Sequence, residues 1–182
     1  MQSTQLLQEV TQHIQQVQQI AKQQLLPLNS EQLNHKPAPN KWSAAECLEH
    51  LNRYARYYNP AIEKAIQYSI DKQWLSTDSF TSTWLGKKSI AVVHPDNARA
   101  SKTMKHMNPA QSKINATVVQ EFIDHQTKLL ELVKTAQQVN LNKARIPIEF
   151  MKLLKLKLGD TLLFMDAHQR RHCNQALRAI PH

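Results

Sequence analysis

The chain has 182 residues, 41% hydrophobic and 20% charged, which is the composition of one folded domain and excludes a chain disordered throughout or built of membrane spans. Its 2 glycines, Gly86 and Gly159, exclude the glycine-rich phosphate loops and dinucleotide fingerprints that need several. The formal charge of +9 is concentrated as +4 over residues 71–113 and +5 over residues 143–182; with no aromatic residues interleaved among those lysines and no zinc-finger spacing, a solvated basic surface is a better reading than a nucleic-acid interface.

In chain order, residues 4–25 place Leu6, Leu7, Val10, Ile14, Val17, Ala21 and Leu25 at three- and four-residue steps, one face of a helix that Pro27 ends. Ten of the first 24 residues are glutamine, and because the apolar stripe crosses them unbroken they form the outer face of that helix rather than a low-complexity tract. The segment lacks the apolar core of a signal peptide, and no run reaches the roughly 18 apolar residues of a transmembrane helix. Cys47 and Cys173 both fall in helical patterns and are too few for a disulfide framework. A cytoplasmic location and no membrane partner are therefore expected.

Residues 26–42 hold Pro27, Pro37 and Pro39 and read as a loop with a short helical turn after Ser30. Ser43 followed by Glu46 is a capping box, with Trp42 placed to staple onto Cys47, and it opens a second helix over 43–73. Its stripe is Cys47, His50, Leu51, Tyr54, Tyr58, Ile62, Ala65, Ile66 and Ile70, and Pro60 predicts a kink or break within it. Residues 74–108 show no sustained period and read as a long basic connection carrying Lys87, Lys88, Arg99, Lys102 and Lys105.

A third helix is predicted from Asn108 as cap, with Pro109 in its first turn and Val118, Phe122, His125, Leu129 and Leu132 on its stripe, to near Val139. Residues 147–157 leave a short helix open. Asp160 is the predicted cap of a fourth helix over 161–180, whose stripe is Leu162, Met165, His168, His172, Ala176 and Ala179. Four long amphipathic segments without a strand make the expected fold all-α, a four-helix bundle forming a single domain over residues 1–182. The long connections predict one or more crossovers.

The chemistry lies in the nine histidines. His168 and His172, four residues apart, share one face of the last helix, close enough for both rings to reach one cation. They lie on the apolar stripe, where unpartnered polar rings would weaken the core. His50 holds the same kind of place on the second helix, between Cys47 and Tyr54. Facing stripes would bring three imidazoles together and leave further positions on a metal open. Satisfied core histidines are the alternative for each. His125 reads as a fourth ligand, a nearby base or a packed residue; His13 as core edge; His35, His94, His106 and His182 as solvated.

Two stretches resemble a family. Lys41–Leu51, KWSAAECLEHL, is similar to the second-helix motif of the DinB/YfiT-like superfamily, in which Trp-Ser opens a helix and a histidine follows seven residues after the serine. Ala167–Gln175, AHQRRHCNQ, is similar to its last-helix motif, two histidines four apart followed by a glutamine. The resemblance implies an up-down-down-up four-helix bundle, a divalent metal such as zinc or nickel on His50, His168 and His172, and a homodimer. Members of known activity are thiol-dependent: bacillithiol transferases and mycothiol-dependent isomerases.

The expected activity is thus transfer of a low-molecular-weight thiol to a small electrophilic substrate, the metal lowering the pKa of the thiol. A metal-dependent hydrolase on the same three histidines is one alternative; a non-catalytic bundle that binds a partner through its basic surface is another. Lys87 to Lys105, Arg170 or Arg171 are candidates to hold an anionic thiol, with solvated surface or, for Arg171, a structural ion pair as the plainer roles. Glu46 orients His50 or simply caps, Gln175 is placed to hydrogen-bond near the site, Trp42 plugs the start of its helix, Tyr54 and Tyr58 line the pocket or fill the core, and Cys47 and Cys173 are soft ligands or inert buried thiols.

Overall fold

The computed structural model describes residues 1–97, 103–110 and 113–181. Among these the chain is mostly helical, as expected, with six α-helices and one two-stranded antiparallel sheet. Helix α1, Ser3–Ile20, continues as a π-helical turn, Ala21–Leu25. The widened turn keeps Ala21 and Leu25 on the buried side with Leu6, Val10, Ile14 and Val17 while the glutamines face solvent. The short helix α2, Ser30–Asn34, is closed by a capping box between Asn29 and Gln32.

Helix α3, Ala44–Asp71, starts where the Ser43–Glu46 capping box puts it. It runs through Pro60 without the expected break. Pro60 is exposed, as is Arg56, whose carbonyl loses its partner, while Tyr58, Asn59 and Ile62 around it are buried and packed.

The expected long connection contains structure. Helix α4, Trp84–Val93, is capped by Thr83, whose hydroxyl accepts from Gly86 N at 2.9 Å. Its stripe is faint because Gly86 is its one fully buried residue. A Cβ there would overlap the Asp160 carboxylate, which accepts from the hydroxyls of Ser82 and Thr83. Asp160 therefore ties α4 to the last helix instead of capping that helix, which begins earlier than predicted: α6 is Leu158–Ala179.

Helix α5, Thr117–Ala136, begins well after the predicted Asn108. The Asn108 side chain accepts from Ala110 N in a local turn, and Asn115 accepts from Thr117 N at the true start. Residues 145–157 form no helix but a hairpin, β1 (Arg145–Ile148) and β2 (Met151–Lys157). Ile146, Ile148 and Leu156 are buried under it, and the Tyr57 hydroxyl donates to Pro147 O, seating it on α3. Helix α3 packs against α5 and α6, α1 packs against the same two, and α4 covers α6 from outside. The histidine stripes of α3 and α6 consequently face each other.

Candidate metal centre

Position 50 is the second turn of α3, and positions 168 and 172 are consecutive turns of α6. The three rings form a triangle: centroids of His50 and His168 are 5.0 Å apart, His50 and His172 4.6 Å, His168 and His172 4.7 Å. One nitrogen from each lies within 4.8 Å of the other two. His50 and His168 are buried and His172 half-buried, so the cluster opens to solvent on the His172 side. Trp42 and Tyr54 wall it: Trp42 lies 4.9 Å from the His50 ring and 5.7 Å from His172, and Tyr54 lies 4.4 Å from His168.

Hydrogen bonds set the tautomers. His50 Nδ1 donates to the Met107 carbonyl at 2.8 Å and His172 Nδ1 donates to Gln175 Oε1 at 2.9 Å, so each ring keeps a bare lone pair on Nε2. His50 Nε2 faces His168 Nε2 at 3.1 Å, and His168 Nδ1 is buried with no hydrogen-bond partner. Burial pushes the pKa of His50 down to about 4 and that of His172 to about 3. His168 falls well below its ordinary value through burial and then its two neighbouring imidazoles. At neutral pH all three are uncharged donors. In the metal-free cluster the bare His50 Nε2 accepts from His168 Nε2–H; neutral imidazoles are what a divalent transition metal takes as ligands, and an ion would take the place of that proton. The residues fit such an ion.

The Met107 carbonyl is held in turn. It belongs to a 3-10 turn, Lys105–Met107, and Arg53 Nη1 donates to the carbonyls on either side of it, His106 at 3.0 Å and Asn108 at 3.2 Å, while Arg53 Nε rests on Glu49 Oε1 at 2.8 Å. Sequence reasoning missed Met107 and Arg53. Arg53 lies one turn past His50, a spacing that does hint at a shared face, but nothing local says that residues 106–108 return to it.

The remaining predicted residues fall as follows. Gln175 bonds His172, as expected. Glu46 caps: its oxygens take Ser43 N and Lys36 Nζ, and the His50 nitrogens are engaged elsewhere. Trp42 packs on the core and also faces the site. Tyr54 is a site wall, whereas Tyr58 is core, its hydroxyl accepting from Glu149 N. Cys47 and Cys173 are buried outside the cluster, and burial pushes both thiols up, Cys173 to about 12. His125 turns to Glu121 at 3.3 Å and is not part of the cluster. His13 meets Asp166 at 3.2 Å at the core edge.

Of the residues read as solvated, His35 and His106 are exposed, His106 bonding Glu149 at 2.8 Å, and His94 is half-buried, 3.4 Å from Asp96. Arg170 pairs with Asp166 at 3.3 Å. Arg171 donates to the carbonyls of His94 and Asn97 beyond the end of α4. Lys87, Lys88 and Lys105 are exposed. Arg99, Lys102 and His182 lie outside the described residues.

A family model described as the DinB superfamily matches residues 9–176. The chain belongs to the DinB superfamily. The matched span takes in both motifs, Lys41–Leu51 and Ala167–Gln175, and all three clustered histidines of this DinB-superfamily protein. No curated protein and no solved structure matches the chain.

Proposed function

We propose that this DinB-superfamily protein holds a divalent metal, zinc or nickel, on His50, His168 and His172 and is a thiol-dependent S-transferase. The observation that carries this is the His50–His168–His172 triangle: three neutral imidazoles converging from two helices, two with Nδ1 already committed as a donor. Three protein ligands are the pattern of a catalytic rather than a structural site. A metal held there would lower the pKa of a thiol that reaches it, so that a thiolate is present at neutral pH. The protein's own groups do the rest. Met107 O and Gln175 orient the rings, Trp42 and Tyr54 keep bulk water from two sides, and the half-buried His172 edge admits thiol and electrophile. The thiol gives up its proton to solvent water at the half-buried edge, its sulfur forms a bond to the electrophilic carbon, and the leaving group departs with the electron pair of the broken bond. The up-down-down-up helix order and the homodimer go with the same family reading, and a cytoplasmic location with the two unpaired cysteines.

The test is product formation from an activated aryl or alkyl halide by zinc- or nickel-loaded protein, with and without a panel of low-molecular-weight thiols. Thiol-dependent S-conjugates that vanish in His50→Ala support the transferase. Hydrolysis products that need no thiol would assign the site to a hydrolase instead, and no turnover with either would leave the protein a binding module.

A further inference from the structure

The β1–β2 hairpin carries a surface that shares no residue with the histidine cluster. Its pairing is irregular: Pro147 pairs with Lys155 and Ile148 with Met151, so residues 152–154 are extruded from the ladder. Leu153, at the tip of that extrusion, is 96% exposed, and Phe150, Met151 and Leu154 are 43%, 45% and 39% exposed. A fully exposed leucine among three further exposed apolar side chains is costly to leave in water and marks a contact surface. Lys152 and Lys155 flank the tip and are themselves exposed, as are Lys143 and Arg145 on the other arm. The one carboxylate within residues 143–157, Glu149, is already engaged by His106 at 2.8 Å. The exposed charge of the hairpin is therefore wholly positive around an apolar tip.

We propose that this hairpin is a membrane-docking element: Leu153, with Phe150 and Leu154, enters the headgroup boundary of an anionic bilayer while Lys152 and Lys155 meet the lipid phosphates. The combination of apolar tip and flanking lysines is what interfacial anchors require, each lysine adding attraction to anionic lipid. A second copy of the chain fits poorly. Residues 152–154 are out of the ladder, so the edge is interrupted for strand pairing, and a two-fold pairing centred on 153–154 would set Lys152 against Lys155. A protein partner would find only Phe150, Met151, Leu153 and Leu154 as exposed apolar side chains on the hairpin, little area for a stable interface. No membrane was expected from the sequence because no apolar run reaches the roughly 18 residues of a transmembrane helix; an exposed apolar tip flanked by lysines docks on a bilayer without spanning it.

The test is co-sedimentation of the full chain with vesicles of phosphatidylcholine alone and of equal parts phosphatidylcholine and phosphatidylglycerol, for wild type, Leu153→Ser and Lys152→Glu/Lys155→Glu. All these positions are exposed, so thermal midpoints should be unchanged, which serves as the folding control. Wild type should bind the mixed vesicles and not the neutral ones. Leu153→Ser should weaken binding about tenfold and the double charge reversal by about thirtyfold or more. Absence of wild-type binding to the mixed vesicles overturns the proposal. Binding that is indifferent to Leu153→Ser also overturns it, as does equal retention of wild type and Leu153→Ser on immobilised poly-glutamate without vesicle binding, which would assign the patch to an acidic protein.

Discussion

His50 Nδ1 and the Met107 carbonyl are joined by a 2.8 Å hydrogen bond that links α3 to a 3-10 turn 57 residues further along the chain. That bond decides which nitrogen of His50 faces the cluster. With the proton on Nδ1, Nε2 carries the lone pair that faces His168 Nε2. Carbonyl-oriented histidines bind metal more tightly than unoriented ones because the tautomer and ring angle are set before the ion arrives.

Arg53 should therefore matter to metal affinity without touching the metal. It holds the His106 and Asn108 carbonyls that flank Met107. In Arg53→Ala the turn loses both anchors, and zinc affinity measured by competition with a chromophoric chelator should fall by about tenfold. The half-exposed guanidinium contributes little to global stability, so the thermal midpoint should move only slightly.

Metal-free protein should be acid-sensitive in a defined window. The three buried imidazoles have folded pKa values below the ordinary 6.5, to about 4 for His50 and about 3 for His172. Between about pH 6.5 and pH 4 the unfolded chain binds protons that the folded chain does not, so stability is greatest above pH 6.5 and falls as the pH drops through that window. Asp166, raised by burial, works in the opposite sense, as one group against three. Unfolding free energies from urea titrations with chelator across this range should fall with acidity by several kcal/mol in all, and in His50→Phe the slope should be shallower.

Gly86 should tolerate no side chain. A Cβ at this position overlaps the Asp160 carboxylate that also receives Ser82 and Thr83. Gly86→Ala should cost about 2 kcal/mol by overpacking, read as a lowered urea midpoint. Metal binding should survive, because α4 packs on the outer face of α6, away from α3.

The parts of the fold visible in the sequence were those governed by local rules. The Ser43–Glu46 box marked the start of α3 to the residue, and the stripes of α1, α3, α5 and α6 named the core faces, including the three histidines that meet, although Ile70 at the end of the α3 stripe is exposed. What escaped was decided by distant partners. Helix α4 buries too little of itself to show a period, since it is held by a carboxylate from α6. Asn108 presents a helix-start signal but is used in a local turn, and α5 starts only at Thr117, whose N–H donates to the Asn115 side chain. The hairpin hid behind Pro147 and the run of lysines and leucines in β2, whose extruded residues obscure the two-residue alternation. In the site, the imidazoles were legible from spacing, whereas Met107 and Arg53 act through a carbonyl and a loop that no side-chain pattern reveals.

The central claim is that His50, His168 and His172 hold one divalent ion between them. Its most direct test is elemental analysis of the tag-free protein after exposure to zinc, nickel and manganese in turn, beside His50→Ala and His168→Ala. The prediction is about one ion per chain in wild type and loss of that ion in both variants. Wild type that takes up none of the three metals, or variants that keep the ion, would contradict it and leave the histidines as a packed polar cluster.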